Sequence, residues 1–135
     1  MPRLEFFVVA DSVSIDQNTN LASIFNILEE IRPQGFPILL SRCVAFSLWY
    51  RQEGDENRDF QSTLRVISPD GATREFASNF RLVRPRHRIV QGIQNLQITT
   101  PGDLRFELLL NGGHAADHIV TVGEVNVADT NENIH

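Results

Sequence analysis

Apolar and polar residues alternate with a period of two along most of this chain, which is the pattern of half-buried β-strands. The alternation is clearest in residues 43–50, where Val44, Phe46 and Leu48 share one face of the expected strand. In residues 4–10 both faces are apolar, which indicates a central strand that is buried on part of each side. Segments of this kind recur along the whole chain, which predicts about eight strands and no long helix.

Turn residues separate these segments. Asp-Gln-Asn-Thr-Asn at 16–20 and Ser-Pro-Asp-Gly at 68–71 are typical turn sequences. Asn111-Gly112-Gly113 predicts a tight hairpin turn, because Asn and Gly tolerate positive φ. Two prolines and a glycine within residues 32–37 indicate an irregular loop.

Two segments allow more than one interpretation. Residues 21–31 have the composition of a strand, but Ile24, Ile27, Leu28 and Ile31 also have helical spacing. We favour a strand, because the neighbouring segments are strands and the turn that precedes it is short. In residues 89–98 the alternation breaks, and one extra residue near 92–95 would restore it, which predicts a β-bulge or bend there.

The pattern as a whole predicts an all-β fold: a two-sheet antiparallel β-sandwich of about eight strands, immunoglobulin-like or C2-like, with no long helix. We expect a single domain over residues 1–128, followed by a polar C-terminal tail at 129–135. A sandwich has open sheet edges, so we expect that the protein could form a homo-oligomer through them.

Composition narrows the setting of the protein. The chain has 135 residues, a net charge of −5 and a single cysteine, Cys43, and all its basic residues are arginine. One cysteine cannot form an intramolecular disulfide, and no apolar run is long enough for a signal peptide or a membrane span. These observations predict a cytoplasmic protein with no membrane partner. The negative charge disfavours a dedicated nucleic-acid-binding protein.

The chain has no complete match to a known metal-binding or catalytic motif. Residues 16–20 begin like a calcium loop, but the required Gly and Glu are replaced by Leu21 and Ile27. His114 and His118 lie about 13 Å apart on an extended strand, too far to share a zinc ion, so we expect exposed polar side chains. Cys43 lies in an apolar strand and is expected to be a buried, inert thiol. No catalytic, cofactor-binding or metal-binding residue is predicted, which favours a protein that is not an enzyme without deciding the question.

One cluster of basic residues remains as a candidate site. Its members lie within fifteen residues with Glu75 as the single acid among them: Arg74, Arg81, Arg84, Arg86, His87 and Arg88. Arginine is a bidentate donor to phosphates and carboxylates, so the cluster is a candidate contact for an anion or a partner. The alternative is a solvated strand edge whose charges pair within the molecule, for example with the acidic segment 53–59.

Several stretches together resemble a known family. They are Leu-Glu-Phe-Phe-Val-Val-Ala at 4–10, Leu-Ala-Ser-Ile-Phe-Asn-Ile-Leu-Glu-Glu-Ile at 21–31, Gly35-Phe36-Pro37, and Ser-Pro-Asp-Gly at 68–71. Their order resembles a family of small bacterial proteins catalogued only as a domain of unknown function, over residues 4–122. The resemblance implies a β-sandwich of uncharacterised role and supplies no catalytic residues.

Three functional hypotheses follow. The leading one is a non-enzymatic binding or assembly module, because the predicted sandwich has no recognisable catalytic site. The second is nucleic-acid or polyanion binding through residues 74–88. The third is an uncharacterised hydrolase whose acidic residues are scattered along the sequence.

Overall fold

A computed structural model describes residues 1–123, and all regular structure in this part of the chain is β-strand. The strands are β1 (Arg3–Ile15), β2 (Ala22–Ile27), β3 (Glu30–Ile31), β4 (Ile38–Tyr50), β5 (Asp59–Ile67), β6 (Thr73–Arg81), β7 (Arg86–Ile98), β8 (Gly102–Leu110) and β9 (Gly113–Val122). They form a four-stranded sheet in the order β2-β1-β4-β7 and a five-stranded sheet in the order β3-β9-β8-β5-β6. The predicted all-β, two-sheet fold is therefore confirmed. The tail predicted at 129–135 lies outside the described residues.

The described part of the chain has nine strands rather than eight, because residues 21–31 contribute two. β2 pairs antiparallel with β1, and the chain then crosses to the other sheet, where β3 pairs with β9. Asn26 has a left-handed backbone with φ 57° just before this crossing. The strand interpretation of this segment is thus confirmed. One described strand pair departs from the predicted antiparallel arrangement, since β3 and β9 are parallel.

The core lies between the two sheets and consists of the inward-facing side chains of alternate strand positions. Trp49, Leu82 and Phe106 are the bulkiest of the fully buried side chains. Cys43 is also fully buried, as expected from its place in an apolar strand. Burial of each large apolar side chain stabilises the fold by about 1.5–3 kcal/mol, and this is the main force that holds the sheets together. No helix among the described residues is long and apolar enough to cross a membrane.

The bulge or bend predicted near residues 92–95 is not a bulge that shifts the register. Pairing of β4 with β7 keeps one register from one end to the other. The break in alternation is real, but it arises because Asn95 adopts a left-handed conformation with φ 56°. Buried Ile93 and buried Leu96 consequently face the same core, and their partners Cys43 and Leu40 change face at the same point. No extra residue is needed, because both strands change face together.

The β1–β2 hairpin (residues 12–25) does not continue in line with the rest of β1. Phe6 pairs with Leu48, which in turn pairs with Arg88. Nine extended residues separate Phe6 from Ile15, a distance of about 30 Å. Yet Arg88 Nη2 donates a hydrogen bond of 2.9 Å to the backbone oxygen of Asn20, at the tip of the hairpin. The hairpin must therefore fold back across the outer face of the four-stranded sheet.

Burial of the outer face supports this arrangement. Val8 and Ala10 pair with Phe46 and Val44, and all four point away from the five-stranded sheet. None of them is more than 5% exposed. An uncovered outer face would leave such side chains in contact with water. The hairpin supplies the cover, since its residues Val13 and Ile24 pair on one face and are both half-buried.

Candidate functional site

The beginning of β7, the loop before it and the tip of the folded-back hairpin enclose a surface cleft at the predicted arginine cluster. The cleft has a volume of about 500 Å³. We call it the arginine cleft, and its lining residues are Ile15, Asn20, Leu48, Arg84, Arg86, His87 and Arg88. Four of the six predicted site residues therefore line one cleft. None of the residues lining it is acidic.

Two of the arginines in the cleft are held by other parts of the fold. Arg86 Nε lies 3.0 Å from a carboxylate oxygen of Glu5 on β1, and its guanidinium lies over the ring of Tyr50 at 5.1 Å. Arg86 donates this hydrogen bond to Glu5, and the bond together with the negative charge of Glu5 raises the pKa of Arg86. Arg88 donates to the backbone oxygen of Asn20 at 2.9 Å, which fixes the hairpin tip to β7. Both guanidinium groups are thus oriented by contacts made across strands.

Arg84 differs from these two residues. It lies in the loop between β6 and β7, is exposed, and has no hydrogen bond or ion pair with any residue that the structure describes. A guanidinium has five N–H donors in a planar fork that matches a carboxylate or a phosphate. The donors of Arg84 are therefore available to a ligand from solution.

His87 contributes to packing instead of to the positive charge of the cleft. Its ring stacks on Phe80 of β6 at 5.1 Å between ring centroids, with an interplanar angle of 9°. His87 pairs with Trp49, whose side chain is buried in the core. Burial lowers the pKa of His87, because desolvation disfavours the imidazolium. The histidine is therefore poorly suited to serve as a permanent cation.

The two remaining predicted residues lie on β6 and are occupied within the molecule. Arg81 forms an ion pair with Asp59 on the neighbouring strand β5. Arg74 donates to the backbone oxygen of Gln94 at 2.9 Å, and its guanidinium lies over Phe76 at 5.3 Å. The cluster that is continuous in sequence is therefore divided in space. Its members on β6 stabilise the sandwich, while those at the start of β7 line the cleft.

A second group of titratable side chains lies on the outer face of the five-stranded sheet. Potential ligand atoms of Glu107, His114 and Asp117 all lie within 4.8 Å of one another. A β-bulge in the β8–β9 pair brings them together, since the register shifts between Leu108 and Leu109. Residues 114 and 117 would lie on opposite faces of a regular strand, and the bulge places both on one face. Sequence reasoning compared His114 only with His118 and missed this group.

Arginines already occupy both carboxylates of this group. Arg65 Nη1 lies 2.9 Å from Glu107, and Arg105 Nη2 lies 3.1 Å from Asp117. Burial alone would raise the pKa of Asp117, but hydrogen bonds from Arg105 and His114 outweigh it and lower that pKa. A metal cation bound by these carboxylates would lie close to both guanidinium groups, and their positive charges would repel it. The arrangement therefore fits a structural ion-pair network across β5, β8 and β9 better than a metal site.

Other candidates from the sequence have structural roles. Asp16 Oδ1 accepts hydrogen bonds from the backbone N–H groups of Asn18 and Thr19 at 2.8 and 2.9 Å, as expected for a hairpin turn. His118 is half-buried, with Nε2 2.6 Å from the backbone oxygen of Leu28, so the expectation that it is exposed is wrong. Burial raises the pKa of the Cys43 thiol to about 11, as expected for an inert thiol.

Comparison with known proteins identifies the family and leaves its role open. A family of unknown function (DUF6941) matches residues 5–122, and the chain belongs to that family. No curated protein matches the chain. Among solved structures, the chain is similar to a crystal structure of an immunoglobulin-like protein from Pseudomonas aeruginosa, with 16% identity and a TM-score of 0.39, over 90% of this chain and 96% of that one.

Proposed function

We propose that this member of a family without a known role is a non-enzymatic binding module that recognises an anionic group of its partner at the arginine cleft. The observation that carries the proposal is Arg84, which is exposed in the cleft with no partner among the described residues. Arg86 and Arg88 lie beside it and are oriented by Glu5 and Asn20. A preorganised pair next to an unoccupied guanidinium favours binding of a carboxylate or phosphate group.

A small anionic group fits the cleft better than a long nucleic acid does. Arg74 and Arg81 lie on another strand and are paired there, so the basic segment offers no continuous track for a phosphate backbone. The net charge of −5 also opposes non-specific binding to a polyanion. We therefore place nucleic-acid binding second to recognition of a single anionic group.

The test uses fluorescence anisotropy with a labelled acidic peptide and a labelled single-stranded oligonucleotide, each titrated at several salt concentrations. We expect the peptide to bind, more weakly as salt increases. Arg84→Ala should weaken binding, by about tenfold if the arginine makes one charge-assisted hydrogen-bonded pair. Arg42→Ala is the matched control, because Arg42 is also exposed on β4 and lies six residues from Leu48, about 20 Å along the strand. Binding that is insensitive to salt, or reduced equally by both variants, would refute the proposal.

Self-association through a sheet edge is a second candidate, and the length of β7 favours it. β7 is a 13-residue strand at the edge of the four-stranded sheet, with Val90 43% exposed on its outer face. Long edge strands offer unpaired backbone groups to another strand. Light scattering across a range of protein concentrations would detect a dimer, and Val90→Lys should then reduce its formation. A constant monomer mass at all concentrations would eliminate this candidate.

The hydrolase hypothesis receives no comparable support. The arginine cleft has no carboxylate among its lining residues, whereas hydrolysis by general acid–base catalysis commonly uses two. A cytoplasmic location remains part of the proposal, supported by the single, buried cysteine.

A further inference from the structure

A small cavity lies inside the sandwich between β6 and β7, which are one edge strand of each sheet. It has about 20 Å³ of space for water-sized groups, and its empty space, including solvent at its mouth, is about 280 Å³. The lining residues are Phe7, Ala45, Ser47, Ser62, Leu64, Phe76, Ser78, Ile89, Gln91 and Leu108. We call it the interior cavity. It is separate from the arginine cleft, with which it shares no lining residue.

Polar side chains occupy core-facing positions around the interior cavity, where a sandwich ordinarily has apolar ones. Ser62 lies between the core residues Phe60 and Leu64 on β5 and pairs with Ser78 on β6. Ser62 is only 4% exposed, and its hydroxyl has no hydrogen-bond partner among the residues that the structure describes. This hydroxyl is accessible from the cavity, so a hydrogen-bonding group that enters the cavity can bond to it.

Ser47 adds a second buried hydroxyl on the opposite sheet. It is 3% exposed, and its oxygen accepts a hydrogen bond of 3.1 Å from the indole Nε1 of Trp49. That contact leaves the hydroxyl proton of Ser47 without an acceptor among the described residues. The cavity therefore has hydroxyl groups from both sheets, and each can donate a hydrogen bond to a polar group that enters it.

Two contacts frame the mouth of the interior cavity. At one end His87 stacks on Phe80, and at the other end Arg74 donates to the backbone oxygen of Gln94. Between these contacts β6 and β7 belong to different sheets and form no backbone ladder with each other. The mouth is lined there by apolar side chains such as Phe76 and Ile89.

We propose that the interior cavity is a binding site for a small neutral molecule that has a hydroxyl or carbonyl group at one end and a short apolar body. The oxygen of the ligand lies beside Ser47 and Ser62, since the cavity is large enough for one water-sized group. The apolar body lies in the mouth between Phe76 and Ile89. The ligand is neutral because no charged residue lines the cavity, and a buried charge without a partner is costly.

Trp49 provides the readout, because it is the only tryptophan in the chain and is bonded to a cavity hydroxyl. The probes are n-butanol and benzyl alcohol, with butyrate and butylammonium as charged analogues of the first. Titrations follow the indole N–H signal by NMR and the fluorescence of Trp49. We expect saturable shifts with the alcohols at millimolar concentrations, the range for ligands of so few atoms. The charged analogues should give no saturable shift.

Substitutions locate the site. Ser62→Ala removes one hydroxyl and should weaken alcohol binding about fivefold, the loss expected for one neutral hydrogen bond. Ser78→Leu places a larger side chain in the cavity wall and should abolish binding. Ser23→Ala is the control, since Ser23 is exposed on β2, outside the cavity. Thermal melting of each variant without ligand confirms that it is folded, and Ser78→Val replaces Ser78→Leu if the latter does not fold.

Each outcome decides the matter. Saturable binding of the alcohols that both cavity substitutions reduce, and Ser23→Ala does not, supports the proposal. Shifts that increase linearly with alcohol concentration, equal binding of the charged analogues, or binding unaffected by the cavity substitutions would overturn it. Binding at the arginine cleft is measured with other ligands and other variants, so either proposal can fail alone.

Discussion

The folded-back hairpin makes a prediction about Phe46, a residue on the outer face of the four-stranded sheet. Phe46 is 4% exposed although it points away from the other sheet. It also packs edge-on against Phe6 at 6.1 Å between ring centroids. If the β1–β2 hairpin covers this face, Phe46→Ala should destabilise the protein as much as a substitution in the central core.

The magnitude follows from this burial. Truncation of a buried phenylalanine to alanine costs about 3–5 kcal/mol, and loss of the aromatic pair with Phe6 is part of that figure. For a domain of this size we take a urea dependence of about 2 kcal/mol/M. A loss of about 4 kcal/mol then lowers the urea midpoint by about 2 M. On an uncovered sheet face the same substitution would cost about 1 kcal/mol or less.

Urea denaturation followed by far-ultraviolet circular dichroism measures the difference. Phe25→Ala is the matched control, because Phe25 lies on the opposite face of the same hairpin and is 49% exposed. We expect Phe25→Ala to change the free energy of unfolding by less than about 1 kcal/mol. The reasoning fails if Phe46→Ala is no more destabilising than Phe25→Ala.

Three further predictions concern single residues. Cys43, with its pKa raised to about 11 by burial, should not react with a thiol reagent at pH 8 until the protein is unfolded, and fast reaction of the native protein would contradict this. Burial lowers the pKa of His87, so the unfolded chain binds more protons and stability should fall as pH decreases below about 6.5; His87→Gln should reduce that dependence in urea titrations at pH 5 to 8. Gly102 has φ 136°, and an added Cβ would lie 3.1 Å from the Cβ of Pro69, so Gly102→Ala should lower stability by about 1–3 kcal/mol in thermal or urea unfolding, and an unchanged midpoint would contradict the strain.

Alternation and turn chemistry were sufficient to predict the class of fold. The hairpin turn at 68–71 illustrates why: the Gly71 N–H donates to the Ser68 oxygen at 2.9 Å, and Gly71 has the positive φ that the turn requires. Such turns depend on neighbouring residues alone, so they can be derived from the sequence. The path of the β1–β2 hairpin cannot be derived in this way. It depends on contacts such as that of Arg88 with Asn20, which lie 68 residues apart in sequence.

The sequence did contain one sign of the covered face. β1 and β4 are apolar on both faces near Val8 and Phe46, and a sheet face exposed to water would have polar residues there. The pattern showed that something covers the outer face, but not which part of the chain. The composition of residues 12–25 gives no unique answer, because a hairpin can extend into solvent or fold back with the same strand pairing.

The sequence predicted where the candidate site lies, but not which of its arginines are paired within the molecule. The cluster was recognised from its charge, but partners such as Glu5 for Arg86 and Asp59 for Arg81 lie on strands that are distant in sequence. Charge density along a sequence does not distinguish a paired arginine from an unpaired one. The structure supplies that distinction and reduces a six-residue candidate to the cleft around Arg84.

Strand β7 contributes to both proposed sites, and its alternation explains why they can work independently. Arg86 and Arg88 face outward into the arginine cleft, while Ile89 and Gln91 face inward and line the interior cavity. Successive side chains of a strand point to opposite faces, so a substitution on one face leaves the contacts of the other face in place. His87 is the exception, since it lines the cleft and also closes one end of the cavity mouth by stacking on Phe80. Any coupling between the two sites should therefore depend on His87. Peptide binding measured with and without n-butanol, in the unsubstituted protein and in His87→Gln, tests this dependence.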